Sequence, residues 1–149
     1  MSLLVKDVMS RSVITVDSLA SAKQAGELMD KYDIGCLVVM CQGKPAGIVT
    51  ERDMLSRVLL QLRDPETTIV DEIMSTPLIG LGPENSIQDA MRCINERRIK
   101  RLVVLDNVAP VGLLSVTDIV RSVAFLEHIA KSLCARCELN RNTSDEIEQ

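Results

Sequence analysis

Displaced by 65 positions, this chain lies on top of itself. Met9-Ser10 meets Met74-Ser75, Ile14 meets Ile79, Ser21 meets Ser86, Ala25 meets Ala90, and Ile34 meets Ile99. Without a gap, the same offset sets Leu37-Val38-Val39 on Leu102-Val103-Val104, Pro45 on Pro110, Gly47 on Gly112 and Asp53 on Asp118. One register held over about fifty residues marks a duplicated supersecondary unit. A unit of about 60 residues buries too little surface to be stable alone, so the copies are expected to pack together.

Each copy spells the same order of elements. A short apolar stretch, Val13 to Val16 or Leu78 to Leu81, reads as a strand. Ser21 with Gln24, and Ser86 with Asp89, then open a helix as a capping box or its near relative. Ala22, Ala25, Leu28 and Met29 form the inner stripe of the first helix, and Ile87, Ala90, Met91 and Ile94 that of the second. The runs "CLVVM" and "RLVVL" suit buried strands; a turn and a further strand lead to Thr50 or Ser115, where a second helix starts. The order is βαββα twice, an α/β (α+β) class.

Composition excludes several classes of function. The chain has 149 residues, 46% of them hydrophobic, which is ample for a packed interior. A net charge of -4 gives no overall basic field, and one Phe with one Tyr gives no stacking platforms, so nucleic acid is disfavoured as a partner. No apolar run approaches the roughly 18 residues of a membrane helix. Five cysteines without a secretory signal point to reduced thiols and a cytoplasmic setting.

The repeated turn carries the chemistry. It reads "GIVTERD" at Gly47 to Asp53 and "GLLSVTD" at Gly112 to Asp118. The glycine lets backbone pass close to another object, and the apolar pair after it can wall a flat base. Thr50 or Ser115 at the helix N-cap offers a hydroxyl beside free N–H groups, a favourable place for a phosphate. Asp53 or Asp118, one turn further in, can accept two hydrogen bonds from a ribose diol. Either turn alone reads equally as a capping box that binds nothing. Basic residues on the neighbouring strand favour a cleft, and "ERRIKRLVV" supplies Arg97, Arg98, Lys100 and Arg101, where the first copy has Tyr32, Asp33, Gly35 and Cys36. Arg97 and Arg98 read as well as a basic helix end.

With "IGCLVV" and "IKRLVV" in the central strands and this doubled turn, residues 5 to 124 closely resemble a tandem cystathionine-β-synthase (CBS) domain pair. The resemblance implies motifs at 5–62 and 70–124, packed as a pseudo-twofold pair, followed by a C-terminal helix and polar tail at 125–149. It implies two clefts between the copies that take AMP, ADP, ATP or S-adenosylmethionine as a regulatory ligand, with no cofactor required. One cleft would combine Thr50, Arg52 and Asp53 with Ile99, Lys100 and Arg101 and the backbone near Ile79. The other would combine Ser115, Thr117 and Asp118 with Ile34, Gly35 and Cys36, the backbone near Ile14, and Lys100 reaching across. Ile48 and Leu113 belong to the apolar pairs, and adenine is expected between aliphatic side chains such as Ile14, Ile34, Ile48 and Ile79. Val116 and Thr117 replace Glu51 and Arg52, so the first cleft is expected to hold the tighter ligand. The resemblance also implies a homodimer through the helices that follow each motif, about Glu51 to Leu62 and Val116 onward.

Beyond the repeat, Ile119, Val123, Leu126, Ala130, Leu133 and Cys137 follow at steps of four and three. Such a seam is expected to pack on the module's own body or on a second subunit. From Asn140 the tail is polar and expected to fray. Cys134 and Cys137 form the only CxxC; without a second pair they read as seam residues rather than metal ligands. Cys36, Cys41 and Cys93 lie in or beside apolar runs and read as core. The sole histidine, His128, stands beside no nucleophile, which argues against an enzyme. The leading reading is a stand-alone regulatory module acting on an unknown protein. The alternative is an interaction or metal-binding scaffold using the C-terminal helix and its CxxC.

Overall fold

A computed structural model describes residues 3–145, with side chains described through residue 135. It is an α/β structure with two three-stranded sheets and a long C-terminal helix. The first repeat contributes β1 (Thr15–Asp17), α2 (Ala22–Tyr32), β2 (Cys36–Cys41) and β3 (Lys44–Thr50), after a short helix α1 (Val5–Val8). Next comes α3 (Glu51–Asp53), which continues as a π-helical stretch over Met54–Leu59. The second repeat contributes β4 (Gly80–Leu81), α4 (Ile87–Arg97), β5 (Arg101–Asp106), β6 (Ala109–Ser115) and α5 (Val116–Asp145).

The duplication extends to irregularities. In each sheet the first strand runs parallel to the second and the second antiparallel to the third. The ladder slips after Val39 in one copy and after Val104 in the other. Helices α2 and α4 both end in a left-handed residue, Asp33 and Arg98. The opening strands are shorter than their apolar stretches predict, because each pairs over only two or three residues.

What joins the copies is a reciprocal exchange of their leading segments. Val5, from α1, is buried in the second core among Ala90, Leu102 and Leu114. Val70 and Ile73, at the equivalent place before the second repeat, are buried in the first core with Ala25, Leu37 and Val49. Each exchanged segment also pairs with the last strand of the sister copy: Ser10 exchanges backbone hydrogen bonds with Leu113, and Ser75 with Ile48. Neither repeat therefore has a complete core of its own, and the sheets meet along β3 and β6.

One expectation needs correction. Met91, assigned to the inner stripe of α4, is exposed, because the groove beside it is open. Along α5 the seam begins on the module's own body, with Ile119 buried in the second core, while Val123, Leu126 and Leu133 are exposed. The backbone of α5 stays helical to Asp145, past Asn140, as expected when each added residue completes one more hydrogen bond on an existing helix. The remainder of the polar tail, residues 146–149, lies outside the described residues.

Candidate nucleotide cleft

Both repeated turns are reciprocal capping boxes. The Thr50 N–H donates to Asp53 Oδ2 at 2.9 Å, and the Asp53 N–H donates to Thr50 Oγ1 at 3.3 Å. The Ser115 N–H donates to Asp118 Oδ2 at 2.9 Å, and the Asp118 N–H donates to Ser115 Oγ at 3.1 Å. A hydroxyl and a carboxylate recur at this spacing because together they satisfy donors that a helix start leaves open.

The two carboxylates differ in what else they meet. Asp53 is buried, and its Oδ1 accepts from Ser75 Oγ at 2.9 Å with Arg57 Nε 3.8 Å away. Arg57 in turn donates to the carbonyls of Ile73 and Met74, at 3.1 and 2.8 Å, clamping the exchanged segment. Asp118 is only half-buried and lines a cleft of about 170 Å³ with Ser115 and Leu113 on one side. Ile34, Gly35 and Cys36 from the first repeat form the facing wall. Ser10, Ser12 and Arg101 complete the lining.

The glycines of the turns do approach another object closely, and that object is protein. A Cβ on Gly47 would stand 2.7 Å from the Ser75 carbonyl oxygen, and one on Gly112 would stand 2.5 Å from Met9 Sδ and 3.0 Å from the Ser10 carbonyl oxygen. They make room for the exchanged segments.

The model of the family described as the CBS domain matches residues 5–60 and again 70–124. The chain belongs to the CBS-domain family. It is 35% identical over 115 residues to the CBS domain-containing protein YhcV of Bacillus subtilis, spanning 77% of this chain and 81% of that one. A hexameric CBS-CP12 protein from bloom-forming cyanobacteria superposes with a TM-score of 0.76 at 31% identity, covering 84% of this chain and 73% of the other. The CBS domain pair of protein MJ0100, in complex with 5′-methylthioadenosine and S-adenosyl-L-methionine, superposes with a TM-score of 0.74 at 26% identity, covering 83% and 98%. Proteins made of a CBS pair serve as regulatory modules.

Within this CBS pair, Arg101, expected at the Thr50 cleft, lines the Ser115 cleft, where β5 pairs it directly with Ser115. Its guanidinium reaches over Gly35: Arg101 Nη2 and Glu51 Oε2 lie 3.4 and 3.3 Å from where a Gly35 Cβ would be. Ile99 packs against the second core and lines a groove between α4 and α5. Ile14 and Ile79 pack against their own cores, so of the aliphatic set only Ile34, joined by Leu113, lines the cleft. Ile48 is half-buried, its backbone tied to Ser75. Arg52, Lys100 and Thr117 are exposed at the turns, with the Lys100 carbonyl accepting from the Val116 N–H at 3.2 Å.

Burial pushes the Cys36 thiol up to about 11, opposed in part by the Arg101 charge and reinforced by Asp53. A thiol held neutral in this way is a wall, not a nucleophile. Ser10, Ser12 and Arg57 were not among the expected site residues. The repeat did pair Ser10 with Ser75, yet only the fold reveals that each lies against the sister copy. Among the described residues no three metal-ligating side chains converge. Cys134 is exposed, while the side chain of Cys137 lies outside the described residues. No helix among the described residues is long and apolar enough to cross a membrane.

Proposed function

We propose that this CBS pair is a regulatory module, without catalytic activity of its own, that holds one adenosine nucleotide in the Ser115–Asp118 cleft. The observation that carries the reading is the difference between the two carboxylates: Asp118 faces the cleft, whereas Asp53 is engaged by Ser75 and Arg57. Asp118 accepts the ribose diol, Ile34 and Leu113 flank the base, and Arg101 supplies a cation for the anionic end. The adenosine ligands of the MJ0100 pair support the ligand class. This places the tighter site in the cleft opposite to the one that charge alone favours.

At about 170 Å³ the cleft falls below the roughly 300 Å³ of a typical small-molecule pocket. Binding therefore parts the walls at Gly35 and Arg101, and those walls belong to different repeats. Ligand occupancy is thereby coupled to how the repeats and their helices pack, the requirement for a signal passed to a regulated protein. The chain acts as a homodimer, a reading supported by the self-assembly of the CBS-CP12 relative.

Calorimetry with AMP, ATP and S-adenosylmethionine on wild type and Asp118→Ala tests the proposal. Binding that Asp118→Ala weakens at least tenfold supports it. Absence of binding in wild type favours the alternative, a protein-interaction scaffold, for which the exposed Leu126 and Leu133 of α5 are the specific support.

A further inference from the structure

Two charged tips of opposite sign converge on Gly35, in the wall that the first repeat gives the Ser115–Asp118 cleft. Arg101 Nη2 lies 3.4 Å, and Glu51 Oε2 3.3 Å, from the point a Cβ at position 35 would occupy. Both residues are rooted on fixed backbone. The Glu51 N–H donates to the Gly35 carbonyl at 3.1 Å, and Arg101 pairs with Ser115 in the β5–β6 ladder. A side chain at position 35 would crowd the two tips, so the glycine keeps that space open.

These charges are not spent on the protein. Among the described residues neither Glu51 nor Arg101 makes an ion pair, with the other or with any neighbour. The arrangement also occurs once. At the 65-residue offset the counterparts of Gly35, Arg101 and Glu51 are Lys100, Cys36 and Val116, so the sister turn has neither the open space nor the two charges. Asp118 adds a second carboxylate to the cleft lining, whereas Arg52 and Lys100, exposed at the turns, are outside it. Glu51 is exposed too, yet its carboxylate lies against the wall residue Gly35. The cleft and its edge thus set two carboxylates against one guanidinium.

We propose that Glu51 is the specificity-determining residue of this cleft: Arg101 admits one anionic group at the 5′ end of an adenosine ligand, and the Glu51 carboxylate beside it turns away a polyphosphate. The inference rests on the nucleotide reading above and names what decides among its ligands. A like charge placed beside the binding cation discriminates by repulsion, and its cost grows with the negative charge the ligand brings. ATP is penalised most and AMP less. 5′-Methylthioadenosine, whose 5′ end is uncharged, is not penalised.

Calorimetry with ATP, AMP and 5′-methylthioadenosine on wild type and Glu51→Gln, at low and at high salt, tests this, with circular dichroism confirming the fold of the variant. The expected wild type binds AMP and 5′-methylthioadenosine more tightly than ATP. At low salt Glu51→Gln is expected to raise ATP affinity about tenfold, to raise AMP affinity less, and to leave 5′-methylthioadenosine unchanged. The gain for ATP shrinks as salt rises, which a mere change in the shape of the cleft would not do. A wild type that prefers ATP, an equal effect on all three ligands, or no gain for ATP overturns the role of Glu51 and leaves the nucleotide reading standing. Absence of binding for all three ligands in wild type overturns both.

Discussion

Ser75 Oγ donates to Asp53 Oδ1 at 2.9 Å, joining the exchanged segment of the second repeat to the turn of the first. The equivalent Ser10 accepts from the Ser12 N–H and, among the described residues, makes no such bond to Asp118. Two aspartates alike in sequence therefore do different things. Asp53→Ala removes a buried acceptor from Thr50 and Ser75, and the charge beside Arg57, and is expected to cost about 2–4 kcal/mol of stability. Asp118→Ala removes chiefly a cap, costs about 1 kcal/mol, and lowers nucleotide affinity at least tenfold. Urea titration and calorimetry on the two variants check both halves.

Alanine at the paired glycines should destabilise unequally. At Gly47 the new methyl meets a backbone carbonyl at 2.7 Å, which moves only if the exchanged segment moves. At Gly112 its nearest neighbour is Met9 Sδ, the flexible part of a side chain, with the Ser10 carbonyl behind it at 3.0 Å. Gly47→Ala is expected to cost about 2–3 kcal/mol and Gly112→Ala about half that, read from denaturation midpoints. Equal losses would mean that Met9 cannot yield.

These two glycines also mark how far the sequence could be read. The repeat, the strand order and the reciprocal caps at Thr50–Asp53 and Ser115–Asp118 were all legible, because periodicity and capping are local properties. The exchange of Val5 and Val70 between cores was not, since any apolar residue at those positions fits either core. That Arg101 lines the Ser115 cleft was not legible for a related reason: charge can be counted along the chain, whereas the face a side chain crosses depends on which strand pairs with its own. Ser75 and Arg57 engage Asp53 from 22 and 4 residues along the chain. Only the first of these is long-range, and no local pattern announces it.

The Cys36 thiol gives a pH dependence with a defined sign. Below about pH 9 it is protonated in both folded and unfolded chains and adds no slope. Above that, the unfolded thiol ionises while the native one is held neutral to about 11, so stability falls as pH rises through this window. The whole loss is about 2–3 kcal/mol. Cys36→Ala is expected to remove that part of the alkaline decline, measured as the difference between wild-type and variant unfolding free energies at pH 8 and 10.5. Alkylation at pH 8 supplies the companion result, fast at exposed Cys134 and slow at buried Cys36.

Exchange of the leading segments makes a directional prediction about damage. Val5 precedes the first repeat in the chain but is fully buried in the second core, beside Ala90 and Leu114. Val5→Ala is expected to cost about 2 kcal/mol, in the range of a buried truncation that leaves a small cavity. Amide exchange should quicken first in β5 and β6, tens of residues away, before it quickens in β2 and β3. The mirror-image change, Val70→Ala, should loosen β2 and β3 first. Quickening confined in each case to the repeat that follows the mutated segment would show that the leading segments serve their own copies, and the reciprocal core would have to be abandoned.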